Sequence, residues 1–477
     1  MDGSTAPRSA PAAIDASSAF MLLITIFAFF LPLVLYFPPV PPSSRDALLE
    51  THTQVGLGPS ESGLRRRRPG RREEEESHLK DNNKIRSLWI YPLKSCKGIE
   101  VRQSKVLPTG LEFDRLYTFA QLKSPFPVGV QEEEAAGTTN PSNDENDDRG
   151  GGGGGGGGHT WQFITQRQFP RLATVRVDLF MPDIIKARGQ PTKVTSAPFL
   201  LVSFPWRERG VRGVLGWVAA KVARGWRAQP EMEFVLPVAF PSSTSSCGGS
   251  SYKLEDVTIW RDTVTALNLE PELPRELGLY LGVSNRLGLF RVDPARLRKV
   301  ARCAPTKAEA GYQPVAGFQD AYPLHLLNLT SVRDFEDKID KDEALRELDP
   351  RRFRANIIVD GDDDTPPYDE ETWKKVRFTP GSSSKREAST FHVSCRTVRC
   401  KLPNVDQDSG VRHAVEPDRA LRKYREVDEG AKHKGCLGMQ MTPLFSKTDS
   451  PEDLESWVEV GMSVEVLERG NHVYILQ

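Results

Sequence analysis

A chain of 477 residues with 38% hydrophobic content has room for two or three domains but is too polar to be folded throughout. Six cysteines in that length do not make a disulfide framework, so free thiols in a reducing compartment are expected, with one a candidate metal ligand. Lys+Arg and Asp+Glu balance at 64 each, so net charge argues neither for nor against nucleic acid, and no nucleic-acid partner is expected.

Residues Ala19 to Phe37 carry no charge. At about 1.5 Å per residue such a run spans the ~30 Å hydrocarbon core of a bilayer, and an internal Pro32 is tolerated there. A cleaved signal peptide or a buried helix are the alternatives. A signal peptide would want a basic start and small residues at a cleavage site; here only Arg8 precedes the run, and Pro-rich sequence follows. The expectation is a transmembrane anchor over 19–37. The arginines that follow it (Arg45, Arg65–Arg68, Arg71, Arg72) put the C-terminal body in the cytosol.

Residues 38–83, rich in Pro, Ser, Gly, Arg and Glu, read as a disordered linker. A solvated tether is the simplest reading of Arg65–Arg68, with a nuclear signal or a phospholipid contact as alternatives. A second low-complexity block, 124–159, joins an acidic stretch to nine glycines at 150–158. It cannot bury enough apolar surface to offset its ordering entropy. The strand-like flanks Leu116–Phe119 and Trp161–Ile164 place it at a hairpin tip.

Around these segments the expected architecture is α+β and strand-rich, in two regions, 84–310 and 315–477. In the first, strands are expected at Lys84–Tyr91, Ile99–Leu107 and Leu172–Phe180 and as a pair around Trp260. Helices are expected at Gly213–Trp226 and Pro271–Gly282. In the second, Tyr322–Leu329 and Phe353–Val359 read as buried strands, with a Thr330-capped helix over Ser331–Leu348 between them. Thr390–Leu402 carries two cysteines, 403–435 reads as an exposed loop with a short helix near Arg419–Tyr424, and Trp457–Leu467 and His472–Leu476 close the chain as strands.

Two stretches concentrate the chemistry. Arg351–Asp360 places arginines ahead of an apolar strand, and Arg399 stands beside Cys400. A guanidinium fork holds an oxyanion bidentately, and a thiolate binds a soft metal. A lone strand cysteine is more often an inert buried thiol. Arg351 and Arg352 read as solvated, Arg354 as the ligand-facing arginine. No dinucleotide fingerprint or P-loop is present, and the histidines form no triad.

The chain resembles the MOSC family, with a MOSC N-terminal β-barrel-like domain followed by a MOSC domain. The resemblance rests on Tyr91-Pro-Leu-Lys-Ser-Cys-Lys-Gly98, Asp114-Arg115, Thr165-Gln-Arg-Gln168, Phe353-Arg-Ala-Asn-Ile-Ile358, Arg399-Cys400 with Val405-Asp406, Pro417–Arg425 and Gly461–Val466. Each motif is weak alone; their order and spacing are specific. The resemblance implies a molybdenum cofactor (Mo-molybdopterin), with Cys400 as metal ligand and catalytic residue and Cys395 as the alternative ligand. It implies that Lys94, Ser95, Arg115 and Arg354 hold the pterin and its phosphate, joined by Tyr322, Asn356, Arg399 and Gln440. Ala321 and Tyr322 depart from the family's Thr-Ser at that point. The implied activity is reduction of small N-hydroxylated substrates, with electrons from a b-type cytochrome and its flavin reductase. The implied location is the mitochondrial outer membrane, with the endoplasmic reticulum as the alternative. Two other functions stay open: a MOSC sulfur carrier for cofactor maturation, lacking the pyridoxal-phosphate domain of a full sulfurase, and a membrane-tethered interaction protein with a degenerate pocket.

Overall fold

Strand pairing carries most of this chain. The computed structural model describes residues 15–36, 43–64, 83–124, 159–187, 197–226, 228–241, 252–361, 364–382 and 384–475. The acidic and glycine-rich insertion and Arg65–Arg72 lie outside them. The chain divides into two units, residues 1–43 with 205–232, and residues 44–204 with 233–477.

The first unit contains the helices Ala16–Tyr36 and Val211–Arg224. The apolar run does form a helix, with Pro32 inside it. However, among the described residues no helix is long and apolar enough to cross a membrane. The expected transmembrane anchor over 19–37 is therefore not supported by the described residues, and its last residue, Phe37, lies outside them.

The second unit is built on two closed or nearly closed sheets. Five strands form a closed barrel in the order Lys253–Ile259, Asp262–Asn268, Leu287–Val292, Tyr117–Lys123 and Thr160–Phe163. Its core holds Trp161, Phe163, Val257, Ile259, Phe290 and Phe318. The expected hairpin around the insertion is present, with Lys123 opposite Thr160 and Ala120 opposite Phe163.

The larger sheet runs Ile357–Asp360, Leu324–Asn328, Cys436–Leu444, Ser389–Val398, Trp373–Thr379, Ser463–Arg469, Lys84–Ile90 and Ile99–Val101. Pairing of Ile357–Asp360 with Lys84–Ile90 closes it on itself. Residues from the 84–310 and 315–477 regions thus share one sheet. The Ile357 strand runs parallel to Leu324–Asn328 through the helix Leu329–Glu336. All five residues of Leu324–Asn328 are buried, as expected for a strand covered on both faces.

Several elements differ from expectation. Part of the 38–83 linker is folded: Ser44–Leu49 is helical, and His52–Val55 pairs antiparallel with Arg176–Pro182. Four residues with one apolar side chain carry no periodicity that would reveal a strand. The helix expected over Ser331–Leu348 spans only Leu329–Glu336, and Asn328 rather than Thr330 is its cap. Beyond it, Asp342 accepts the backbone N–H groups of Ala344 and Leu345, a local bond that competes with continuing a helix. Phe353 belongs to a 3₁₀ turn, Pro350–Phe353, and the strand starts at Ile357. The 403–435 segment contains the helix Asp418–Tyr424 but is not simply exposed: Gln407, Glu416, Arg425 and Asp428 are buried. His472–Leu476 forms no strand among its described residues, because the ladder ends at Arg469.

Candidate active site

The Tyr91–Gly98 motif begins directly after the strand Lys84–Ile90, with Pro92 as its second residue. Its turn is fixed from Asp114, whose Oδ1 accepts the Tyr91 N–H at 2.8 Å, and from the Arg115 N–H, which donates to the Tyr91 carbonyl at 2.8 Å. Arg115 chelates the same Asp114 carboxylate at 2.7 and 2.6 Å. Its guanidinium lies 4.5 Å from the Tyr91 ring centroid, and that of Arg354 lies 4.2 Å from it. Burial pushes the Tyr91 phenol up to about 12, so the ring is a neutral platform for two cations.

Arg354 owes its position to the backbone. It follows the 3₁₀ turn in a left-handed conformation, φ 53°. Ser95 and Arg115 also have positive φ, 67° and 50°. Non-glycine residues rarely adopt this region, and such strain concentrates at functional sites. Arg354 Nη1 donates to the Cys96 carbonyl at 2.7 Å and to Gln407 at 3.4 Å. Its Nη2 is buried and has no hydrogen-bond partner among the described residues.

These residues open onto a cavity of about 500 Å³, within the size range of cofactor sites. The structure brings together on its walls all nine candidates: Lys94, Ser95, Arg115, Tyr322, Arg354, Asn356, Arg399, Cys400 and Gln440. They are not equivalent. The Lys94 ammonium is committed to Asp320 and the Phe318 carbonyl, both at 2.6 Å. The Asn356 amide is spent on backbone, donating to Trp89 and accepting from His325 N–H, both at 3.2 Å. Arg352 is not solvated as expected: it is buried, and donates to the Pro403 and Asn404 carbonyls and to Asp406. The buried end of Arg351–Arg354 thus ties the 402–406 turn to the site.

Cys400 follows the strand Ser389–Val398 and is partly exposed on the cavity wall. Burial raises its thiol pKa, against the opposing fields of Arg167 and Arg399. Cys395 is fully buried elsewhere, in an apolar cluster with Val300, Ala316 and Tyr322. Arg399 donates to the Leu437 carbonyl at 2.9 Å, to the Phe353 carbonyl at 3.1 Å and to His325 Nε2 at 2.7 Å. Arginine can only donate, so His325 accepts at Nε2 and is neutral. Burial and the Arg399 charge hold its pKa well below the usual value.

His325 and Trp260 are among the residues of the cavity wall that lie outside the candidates read from the sequence. Trp260 and Arg261 form the two-residue connection between Ile259 and Asp262, and Trp260 has φ 57°. Its indole donates to Asp320 at 3.1 Å, and the Arg167 guanidinium lies 4.5 Å from its ring. A tryptophan where hairpins favour Asn-Gly is the signal that could have marked it.

The MOSC N-terminal beta barrel domain model matches residues 82–199, and the MOSC domain model matches residues 313–465. The chain belongs to the MOSC domain family. This MOSC protein is 24% identical to the rat mitochondrial amidoxime reducing component 2 over 393 residues, 82% of this chain and 85% of the relative. It is 22% identical to the mouse mitochondrial amidoxime-reducing component 1, over 76% of each chain. A thale cress (Arabidopsis thaliana) molybdenum cofactor sulfurase is 31% identical over 145 residues, only 15% of that protein.

Proposed function

We propose that this MOSC protein is a molybdenum-cofactor oxidoreductase that reduces small N-hydroxylated compounds. The observation that carries the reading is that one cavity is lined both by Cys400 and by Arg354, whose buried Nη2 has no partner among the described residues. A buried guanidinium nitrogen without an acceptor costs free energy that an anionic ligand would recover. Arg399 adds a second cation whose bonds go to carbonyls and a neutral imidazole rather than to a carboxylate. The donor set fits an anionic pterin bearing a thiophilic metal.

Cys400 would hold the metal, and Arg354 and Arg399 would take the anionic part of the cofactor. When bound, the cofactor supplies a two-electron centre for removing the substrate's N-hydroxyl oxygen. Burial disfavours the free Cys400 thiolate, and a bound metal would take the place of its proton on sulfur. His325, neutral, fixes the Arg399 fork without competing for its charge. Tyr322 is buried in a cluster with Cys395, with Ala321 packed against it, and lines the cavity. Reduction of an amidoxime to an amidine consumes two electrons and two protons and releases water.

The electrons come, in this reading, from a b-type cytochrome and its flavin reductase. The relatives' names place them in mitochondria, and the same compartment is proposed here. The test is turnover of an aromatic amidoxime by the cofactor-loaded protein with a reduced viologen dye as donor. Amidine formation that is lost in Cys400→Ala supports the reading; loaded wild-type protein without turnover contradicts it.

A further inference from the structure

Residues 205–232 join the strands Phe199–Pro205 and Glu231–Pro237 and contain the helix Val211–Arg224. A helix in a folded body turns its apolar stripe inward. On this one the apolar stripe is exposed. Val211, Leu215, Val218 and Val222, spaced four, three and four residues apart, form one stripe and are 76%, 63%, 45% and 43% exposed. Among the helix residues whose side chains are described, the buried positions are instead small: Gly213 and Ala220.

The aromatic residues follow the same pattern. Trp226 is 81% exposed and Trp217 is 37% exposed. The Lys221 ammonium lies 4.8 Å from the Trp217 ring and 5.0 Å from the Trp226 ring, and the Arg207 guanidinium is 6.0 Å from Trp217. Three of the chain's eight tryptophans (Trp206, Trp217, Trp226) fall in this segment, a concentration that core packing does not require. Its sequence holds six Arg and Lys residues against Glu208 and Glu231. An exposed apolar stripe, tryptophans and an excess of cations together are the composition of a helix that lies in a membrane interface. The fourteen residues of the helix cover only about 21 Å, too short for the ~30 Å hydrocarbon core, so the orientation is in-plane rather than spanning.

We infer that the helix Val211–Arg224 docks on an anionic lipid surface. Leu215, Val218 and Val222 enter the acyl boundary, the two tryptophans stand at headgroup level, and Arg207, Arg209 and Lys221 pair with lipid phosphates and carboxylates. An apolar protein groove could take the same stripe, but it would have no need of the cationic excess. The inference stands apart from the reading of the cavity.

The test uses the full-length protein with the photo-crosslinking residue p-benzoylphenylalanine in place of Leu215. Vesicles of phosphatidylcholine with and without phosphatidylserine are the probes. Irradiation should give lipid adducts at position 215 with phosphatidylserine vesicles. Adducts should fall about tenfold or more without the anionic lipid, since each basic residue at such a surface contributes roughly fivefold to binding. Val218→Glu together with Val222→Glu should abolish them. The same photo-residue at Leu279, an exposed apolar position on the helix Arg275–Leu281, should give none. Reading adducts by position separates this helix from any lipid contact made by Ala16–Tyr36. Adducts to protein only, equal adducts in neutral vesicles, or equal adducts at Leu279 would overturn the inference.

Discussion

The Arg354 guanidinium lies 4.2 Å from the centroid of the Tyr91 ring, and the Tyr91 hydroxyl donates to the Ala355 carbonyl at 3.4 Å. This contact joins the turn that follows the first strand of the large sheet to the turn that precedes its Ile357 strand, and so fixes the wall of the cavity from both sides. Burial lowers the Arg354 pKa to about 10, which leaves it charged at neutral pH. Replacing it by lysine keeps a charge but loses the planar fork and the stacking. Arg354→Lys is expected to weaken cofactor retention roughly tenfold to a hundredfold, the usual worth of one or two charge-assisted hydrogen bonds. Pterin content after gel filtration measures it.

Gly98 supports the same contact from behind. A Cβ there would come within 2.5 Å of Tyr91 Cε1 and 3.0 Å of Trp89 Cε3. Both rings are buried, so neither can swing aside. Gly98→Ala should therefore destabilise the fold by about 1–3 kcal/mol, the cost of overpacking a filled core. Urea denaturation tests this, and cofactor content should fall with it because Tyr91 carries Arg115 and Arg354.

His325 makes stability sensitive to acid. Its folded pKa lies well below the ordinary value because of burial and the Arg399 charge. Below about pH 6.5 the unfolded chain therefore binds a proton that the fold excludes, and stability falls as pH falls. His392, lowered to about 4 by burial, acts in the same direction. Glu370, raised to about 7 by burial, opposes them by destabilising the fold as pH rises from about 4.5 towards 7. The comparison with His325→Gln removes that mixture. Between pH 7.5 and 5 the urea midpoint of the wild type should fall further than that of the variant.

The thiols should react in an order set by their surroundings. Cys303 is partly exposed, and a hydrogen bond from Cys395 lowers its pKa. Burial raises that of Cys400. Because the thiolate is the nucleophile, iodoacetamide at pH 7 should alkylate Cys303 well ahead of Cys400 in cofactor-free protein. Peptide mass mapping over time follows both.

Much of the site was legible because its motifs are local. Tyr91–Gly98, Phe353–Ile358 and Arg399-Cys400 each lie at a strand end, where a sequence pattern and a cavity-lining side chain coincide. The hairpin around the 124–159 insertion and the pair around Trp260 were legible from alternation and turn residues. What sequence could not supply were partners chosen by tertiary packing. Asp320 neutralises Lys94, His325 accepts from Arg399, and Arg352 is buried against Asp406, each across a long stretch of chain. The shortened helix after Asn328 has the same origin. Paired charges suggested helix to Leu348, but Asp342 bonds its own backbone, and Ile339, Leu345 and Leu348 join the core beside Phe335 and Phe353.

Binding of a molybdenum cofactor through Cys400 in this cavity is proposed above. It is tested most directly by metal and pterin analysis of the full-length protein and of Cys400→Ala, both made in a host that synthesises the cofactor. Cys400 lies partly exposed beyond the end of its strand, so the variant should fold with a loss of about 1 kcal/mol or less. The account expects stoichiometric molybdenum and pterin in the wild type and loss of molybdenum in the variant. Wild-type protein with neither, or equal molybdenum in both proteins, would contradict it.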